Sequence, residues 1–372
     1  MMLQRLALRL AHTAQAQQIR RRCPDRAAPH RLNFCHNDYL GLSQSPDVIQ
    51  AFTAAAKAYG VGSRASQHVA GYTDIHAECE AAFATFLQRE RAMLFSSGFL
   101  ANLGVIDALT QRGDWVFQDR HNHASLLDGG RLSAATQRRY RHADSGHLAQ
   151  LLTKTQGDHG LVISDGVFSI LGDVAPLDQL AALTQQWQHT LMIDDAHGIG
   201  VLGHTGRGSI EHFGLDANQV PILICPLGKA FGVAGAIVAG STTLIEGLIQ
   251  YARSAMYTTA PPPAIAAAAL ASLHSLTTDT WRYQTLQARI HFFRTEAHHR
   301  GLHCHPSPSA IQAIHVGDIP TTLATAAALK AQGIDVYPMR PPSVPHQQPV
   351  LRLTLNCHHE EQDIRFVLDQ LS

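Results

Sequence analysis

Between residues 92 and 225, short apolar runs recur with helical stretches between them, and this alternation restricts the fold more than any other feature of the chain. The runs fall at 92–95, 115–119, 137–142, 160–164, 190–195 and 221–225. Helical periods fall near 46–58 and 73–88, from about residue 100, and near 123–132, 145–154 and 177–187. Strands and helices in alternation predict an α/β fold whose central sheet is mostly parallel and lies between helices. From residue 273 the pattern changes to a long helix (278–300), a strand (310–316), a helix (320–331), a strand (334–338), a proline-rich loop (340–345), a strand (350–355) and a last helix. This predicts a smaller C-terminal α+β domain over 273–372, a large domain over 46–272, and an N-terminal helix and strand segment over 1–45.

Composition removes several function classes. The 29 basic and 29 acidic residues give a formal net charge of zero, so no global field favours nucleic acid or an anionic membrane. No apolar run is long enough to span a bilayer. The six cysteines show no paired spacing, which points to free thiols in the reducing cytoplasm. The 24 histidines include His298-His299 and His358-His359, but none has the spacing of a zinc site, and no metal is expected. The first 22 residues carry arginines and no acid in an amphipathic pattern that resembles a mitochondrial transit peptide. A strand signal follows almost at once at 32–42, so the expectation is a helix packed on the protein.

The chemistry is concentrated in few residues. The chain has four lysines, and Lys57, Lys154 and Lys330 close alanine- or leucine-rich helical stretches as solvated charges. Lys229 differs, because it lies in a small, apolar, glycine-studded run with no acid within ten residues on either side. Burial without a carboxylate partner penalises the ammonium, and a neutral lysine amine is the nucleophile that forms a Schiff base with an aldehyde, pyridoxal phosphate above all.

Ligands of open α/β sheets collect at the carboxyl ends of strands, and three such ends carry functional side chains. One runs from Leu191-Met192-Ile193 into Asp194-Asp195-Ala196-His197. A strand-end aspartate suits the protonated nitrogen of a pyridine ring, and since neighbours alternate in direction only one of the two faces the ring. His197 is placed to hydrogen-bond the ring's phenolic oxygen. At the second end, Ser96-Ser97-Gly98-Phe99 opens a helix and offers backbone N–H groups suited to a phosphate. The third carries His123, which has the shape to stack on a planar cofactor.

In their order and spacing these residues resemble the α-oxoamine synthase family of pyridoxal-phosphate enzymes. The matching stretches are NDYLGL (37–42), SSGFLAN (96–102), NHASLLDG (122–129), DGVFS (165–169), GDVAPL (172–177), DDAHGIGVLGHTGRG (194–208), GKAFGVAGA (228–236) and RLTL (352–355). The resemblance implies the aspartate-aminotransferase-like fold (fold type I), with 46–272 binding pyridoxal 5'-phosphate, and a homodimer with shared active sites. It also implies condensation of a small amino acid with an acyl thioester and loss of carbon dioxide. It assigns Lys229 to the cofactor aldehyde and to the substrate Cα proton, Asp194 to the pyridinium, His197 to the phenolic oxygen and His123 to the ring face. Ser169 falls beside the phenolic edge, Gly98 and Phe99 at the phosphate, Arg352 at the amino acid carboxylate and Asn37 on an N-terminal loop of the site. Thr258 and Thr259 match a stretch that reaches the neighbouring subunit's phosphate. The branch most similar, by Gly71-Tyr72 and by residues 339–345, joins L-alanine to a pimeloyl thioester held on acyl carrier protein or coenzyme A, with Arg20 at a cationic entrance. Glycine with acetyl-CoA, or the substrate pair of another α-oxoamine synthase, is the alternative, and a non-catalytic regulator that binds pyridoxal phosphate is the alternative to an enzyme. Two departures stand out: Pro226 replaces a phosphate-binding Ser or Thr, and Arg64-Ala65 replaces glycines, which narrows the expected substrate channel.

Overall fold

The computed structural model describes residues 1–20, 22, 32–155, 159–341, 343–344 and 348–372. Arg21, Cys23, and Pro342 and Pro345 of the proline-rich loop lie outside the described residues.

A seven-stranded sheet forms the centre, from β1 (Arg91–Phe95), β2 (Trp115–Asp119), β3 (Thr136–Tyr140), β4 (Gly160–Asp165), β5 (Thr190–Asp194), β6 (Ile222–Pro226) and β7 (Ala236–Gly240). Their order is β1-β7-β6-β5-β4-β2-β3. Every pairing is parallel except those of β7, which runs antiparallel to β1 and β6. The sheet therefore agrees with the mostly parallel expectation. Helices cover both faces, so Leu161, Val162, Ile163, Leu191, Met192 and Ile193 are all buried in unbroken apolar runs. β7 was not expected. Its five residues, AIVAG, are buried throughout, and small side chains beside a glycine-studded turn carry no period-2 signal. The helices Thr242–Tyr251 and Pro263–Thr278 were also missed; the second is alanine-rich and buries its small side chains against Pro46–Tyr59 and Asp74–Phe86.

A three-stranded antiparallel sheet follows, of β8 (Ile311–Ile314), β9 (Tyr337–Met339) and β10 (Val350–Thr354), ordered β9-β10-β8. The strand expected at 334–338 is split. Ile334–Asp335 pairs in parallel with Leu32–Asn33, and only Tyr337–Met339 joins the small sheet. That pairing carries the NDYLGL loop in beside β10, where Thr354 N–H donates to the Phe34 carbonyl at 2.8 Å.

The N-terminal helix corrects a second expectation. Met2–Gln15 forms as anticipated but buries no residue against its own chain. Its Leu3, Leu6, Leu8 and Leu10 stay exposed, and anchoring begins only after the helix, where Arg340 donates to the Gln17 and Ile19 carbonyls at 2.8 Å each. Among the described residues no helix is long and apolar enough to cross a membrane.

Candidate active site

The carboxyl ends of β2, β4 and β5 bring the acids together. Parallel register sets Asp165 directly beside Asp194, and burial with that neighbouring carboxylate pushes the Asp165 carboxyl well above the usual range. Its Oδ2 accepts from the His123 backbone N–H at 2.7 Å. Asp194 is 3 % exposed, accepts from Asn102 Nδ2 at 2.6 Å and from the Ala196 N–H at 3.1 Å. Asn102 also donates to Ser125 Oγ at 2.9 Å, and Ser125 lies 2.7 Å from His123 Nδ1. One chain of hydrogen bonds therefore fixes the strand-end carboxylate and the imidazole at the start of helix Ala124–Leu132 together.

The alternation expected of Asp194 and Asp195 is observed. Asp195 points away and accepts from the Ser209 N–H at 2.7 Å and from Ser209 Oγ at 2.8 Å. A Cβ on Gly198 would approach Asp195 Oδ1 to 2.0 Å, so only glycine lets the loop wrap this carboxylate. Burial raises the Asp195 carboxyl to about 7. Asp195 is a structural pin, and Asp194 faces the cluster.

Lys229 sits in the turn joining β6 to β7, closed by Leu227 N–H to Gly235 O at 2.9 Å and Gly232 N–H to Lys229 O at 2.9 Å. Burial pulls its ammonium below the ordinary lysine range, against the opposing pull of Asp194 and Asp165. The acid-free neighbourhood read from the sequence is thus local only, since the fold imports two carboxylates from β4 and β5. Desolvation still dominates, as expected.

Helix Gly98–Leu109 begins beside this turn. Ser97 Oγ caps it by accepting from the Leu100 N–H at 3.2 Å, and the first helical N–H groups, of Gly98 and Phe99, have no partner within the helix. Pro226 packs on this end: a Cβ at Gly98 would lie 2.9 Å from Pro226 Cγ. Phe99 meets the His123 ring edge-on, with centroids 6.5 Å apart.

A second group closes the site from the small sheet. Arg352 on β10 is 7 % exposed and donates through Nε to the Ser169 carbonyl at 2.8 Å, through Nη1 to Thr354 Oγ1 at 2.9 Å and through Nη2 to Asn37 Oδ1 at 3.1 Å. A guanidinium has five N–H donors, so two remain for a ligand. Burial lowers the Arg352 pKa, and an incoming carboxylate is the partner that relieves this cost. His197, fully enclosed, lies 2.5 Å through Nδ1 from the Tyr39 hydroxyl, and burial with the nearby Lys229, Arg352 and His123 charges holds it neutral.

The structure therefore gathers Lys229, Asp194, His197, His123, Gly98, Phe99, Ser169, Asn37 and Arg352. Thr258 and Thr259 stand apart from this cluster, in the loop after helix Arg253–Met256, and their hydroxyls join none of its contacts. Arg20 lies at the margin, donating to Ser343 Oγ at 3.0 Å; Ser343 and Ser169 line one cavity of about 150 Å³. Arg64 takes φ 66°, a left-handed conformation natural to the glycine it replaces. Sequence reasoning missed Tyr39, Asn102, Ser125 and Asp165. All four lie inside the matching motifs; Ser125 has its partner His123 two residues away, but the partners of Tyr39, Asn102 and Asp165 lie far off in sequence.

The model of the class I and II aminotransferases matches residues 29–371. The chain belongs to that family. A curated 8-amino-7-oxononanoate synthase from Saccharophagus degradans is 50 % identical over 92 % of this chain and 86 % of its own length. Among solved structures, the 8-amino-7-oxononanoate synthase of Francisella tularensis superposes with a TM-score of 0.81 at 34 % identity, covering 92 % of this chain and 97 % of that one. A serine palmitoyltransferase from S. paucimobilis with a bound PLP–myriocin aldimine reaches 0.88 at 29 % identity, over 92 % and 86 %. The fold is that of the pyridoxal-phosphate-dependent enzymes, and the chain is an acyltransferase-type enzyme of the 8-amino-7-oxononanoate synthase kind, whose cofactor is pyridoxal 5'-phosphate. The residues present fit that group: a depressed lysine amine, a buried carboxylate, a neutral imidazole and an open helix start offer one partner each for an aldehyde, a pyridine nitrogen, a phenolic oxygen and a phosphate.

Proposed function

We propose that the protein condenses L-alanine with a pimeloyl thioester, carried on acyl carrier protein or coenzyme A, to give 8-amino-7-oxononanoate, carbon dioxide and the free thiol. It does so in the cytoplasm for biotin biosynthesis, as a homodimer whose subunits share their active sites. Pyridoxal phosphate supplies an electron-withdrawing ring that stabilises negative charge at the amino acid Cα. Lys229, whose ammonium burial disfavours, accepts the Cα proton and later returns it. Asp194, braced by Asn102, keeps a proton on the ring nitrogen. His197 donates to the ring oxygen, His123 covers the ring face, and the Gly98 and Phe99 amides hold the phosphate with Thr258 and Thr259 of the other subunit. Arg352 binds the alanine carboxylate with its two unused donors, steadied by Asn37 and Ser169. Arg20 lines the entry for the acyl carrier. The chain divides into an N-terminal segment (1–45), a cofactor domain (46–272) and a C-terminal domain (273–372) that brings Arg352 to the site.

The observation that carries this reading is the convergence of Lys229, Asp194, His197 and Arg352 in a chain 50 % identical to a curated 8-amino-7-oxononanoate synthase. The test offers the holoenzyme alanine, glycine or serine with pimeloyl, acetyl and palmitoyl thioesters. Fast condensation of alanine with the pimeloyl thioester alone is expected. Preference for glycine with acetyl-CoA, or for serine with palmitoyl-CoA, overturns the substrate pair, and cofactor binding without any condensation overturns the enzyme.

A further inference from the structure

The two halves of the site meet at a residue that the reaction itself does not call for. Tyr39, in the NDYLGL loop, is fully buried, and its hydroxyl lies 2.5 Å from His197 Nδ1. The charge of the nearby Arg352 guanidinium also acts on this hydroxyl. Tyr39 therefore stands between the arginine that faces the amino acid carboxylate and the histidine that faces the cofactor's ring oxygen.

Donor and acceptor rules give this chain a direction. A guanidinium can only donate, so Arg352 offers the hydroxyl proton no acceptor. The hydroxyl proton must then find an acceptor elsewhere, and among the described residues the single acceptor in reach is His197 Nδ1. Burial, against the pull of Arg352, holds the phenol firmly protonated, so the donation is always available. A neutral imidazole that accepts at Nδ1 carries its proton on Nε2. His197 is surrounded by Lys229, Arg352 and His123, three groups that disfavour a second proton.

We propose that Tyr39 is a positioning residue that fixes His197 in the Nε2–H tautomer, through the hydrogen bond that its buried hydroxyl donates to His197 Nδ1. The Nε2–H is thereby kept as the donor for the cofactor's ring oxygen. This rests on the functional reading above for what lies at each end, but the tautomer itself is a property of the protein alone.

The test begins with the apoenzyme. Nitrogen-15 histidine spectra, with the His197 signal assigned by its loss in His197→Gln, are expected to show Nδ1 unprotonated and Nε2 protonated in the wild type. In Tyr39→Phe the signal is expected to shift toward the other tautomer or a mixture. In the holoenzyme, Tyr39→Phe is expected to lower kcat about tenfold while KM for the amino acid changes little, since Arg352 keeps its Asn37, Ser169 and Thr354 contacts. A wild-type His197 protonated on Nδ1 overturns the proposal, whether or not the variant folds, and so does a Tyr39→Phe protein with unaltered tautomer and kcat. If the wild type has the expected tautomer but does not condense alanine with a pimeloyl thioester, the substrate reading falls and the tautomer assignment remains.

Discussion

The strand-end cluster and the outer loop bearing Thr258 and Thr259 are built to different degrees of completion. At the ends of β4 and β5 the acids find their partners inside the chain: Asp194 has Asn102 and the Ala196 N–H, Asp195 has Ser209, Asp165 has the His123 N–H. The outer loop is just as firmly placed, since Ala260 N–H donates to Ala65 O at 3.0 Å and Ser63 Oγ to Ala260 O at 2.9 Å. Yet it presents Tyr257 at 72 % exposure, and the 60–71 segment it is bonded to presents Val61 at 88 % and Val69 at 80 %. Well-anchored loops that hold large apolar side chains in water are the mark of a surface that meets another one. The difference bears on the division proposed above, in which the chain carries its proton chemistry itself and a second copy completes the phosphate contacts.

The largest effect is expected from Lys229→Ala, which removes the group that meets both the aldehyde and the Cα proton. Turnover should fall by at least about 10⁴-fold with the thermal midpoint little changed, measured by thiol release from the acyl thioester. Asp194→Asn keeps the shape of the cluster but loses the charge, and kcat should fall about 10²- to 10³-fold. On the outer loop, Thr259→Ala should weaken pyridoxal phosphate binding about tenfold, read by cofactor titration. Mixed dimers of Thr259→Ala with Lys229→Ala should recover one tight site per dimer; recovery of none breaks the contrast between a self-sufficient cluster and a loop that serves its partner.

How much of this could be read from the sequence follows the same division. The apolar runs of β2, β4, β5 and β6 declare a buried parallel sheet, and the residues at their ends declare the chemistry. β7 escaped because Ala236–Gly240 is too small and too uniformly buried to show a period. Lys229 was legible as an isolated amine, but the carboxylates that share its field come from Asp165 and Asp194, far away in sequence. Tyr39 and Asn102 were illegible as site residues because a neutral hydroxyl or amide reveals its role only through its partner. The N-terminal helix was legible as a helix, whereas what its leucines pack against is not written in its own segment.

Two smaller tests concern stability. His142 donates to Asp119 at 3.0 Å and to Asp173 at 2.7 Å, tying the end of β2 to the loop that carries Ser169. Burial pulls its pKa down, but the two carboxylates outweigh it and hold it at about 9. A histidine raised above its unfolded value of about 6.5 stabilises fully below that pH and loses its contribution as pH rises through about 9. His142→Asn should therefore cost about 2 kcal/mol at pH 6, a difference that shrinks between pH 6.5 and 9, measured by urea unfolding. A difference that is constant with pH means the ring acts by packing alone. The smallest effect is expected at Asp144, whose carboxylate accepts from the His147 N–H at 2.7 Å to cap helix Ser145–Leu152. Asp144→Ala should lower the thermal midpoint slightly with no change in kcat.

The central claim is that the Lys229 amine, whose charged form burial disfavours, is the one that holds the cofactor. Borohydride reduction of the holoenzyme, followed by proteolysis and mass spectrometry, tests it directly. The pyridoxyl group is predicted on the peptide containing Lys229 and on no other; a label at Lys57, Lys154 or Lys330, or none, contradicts it.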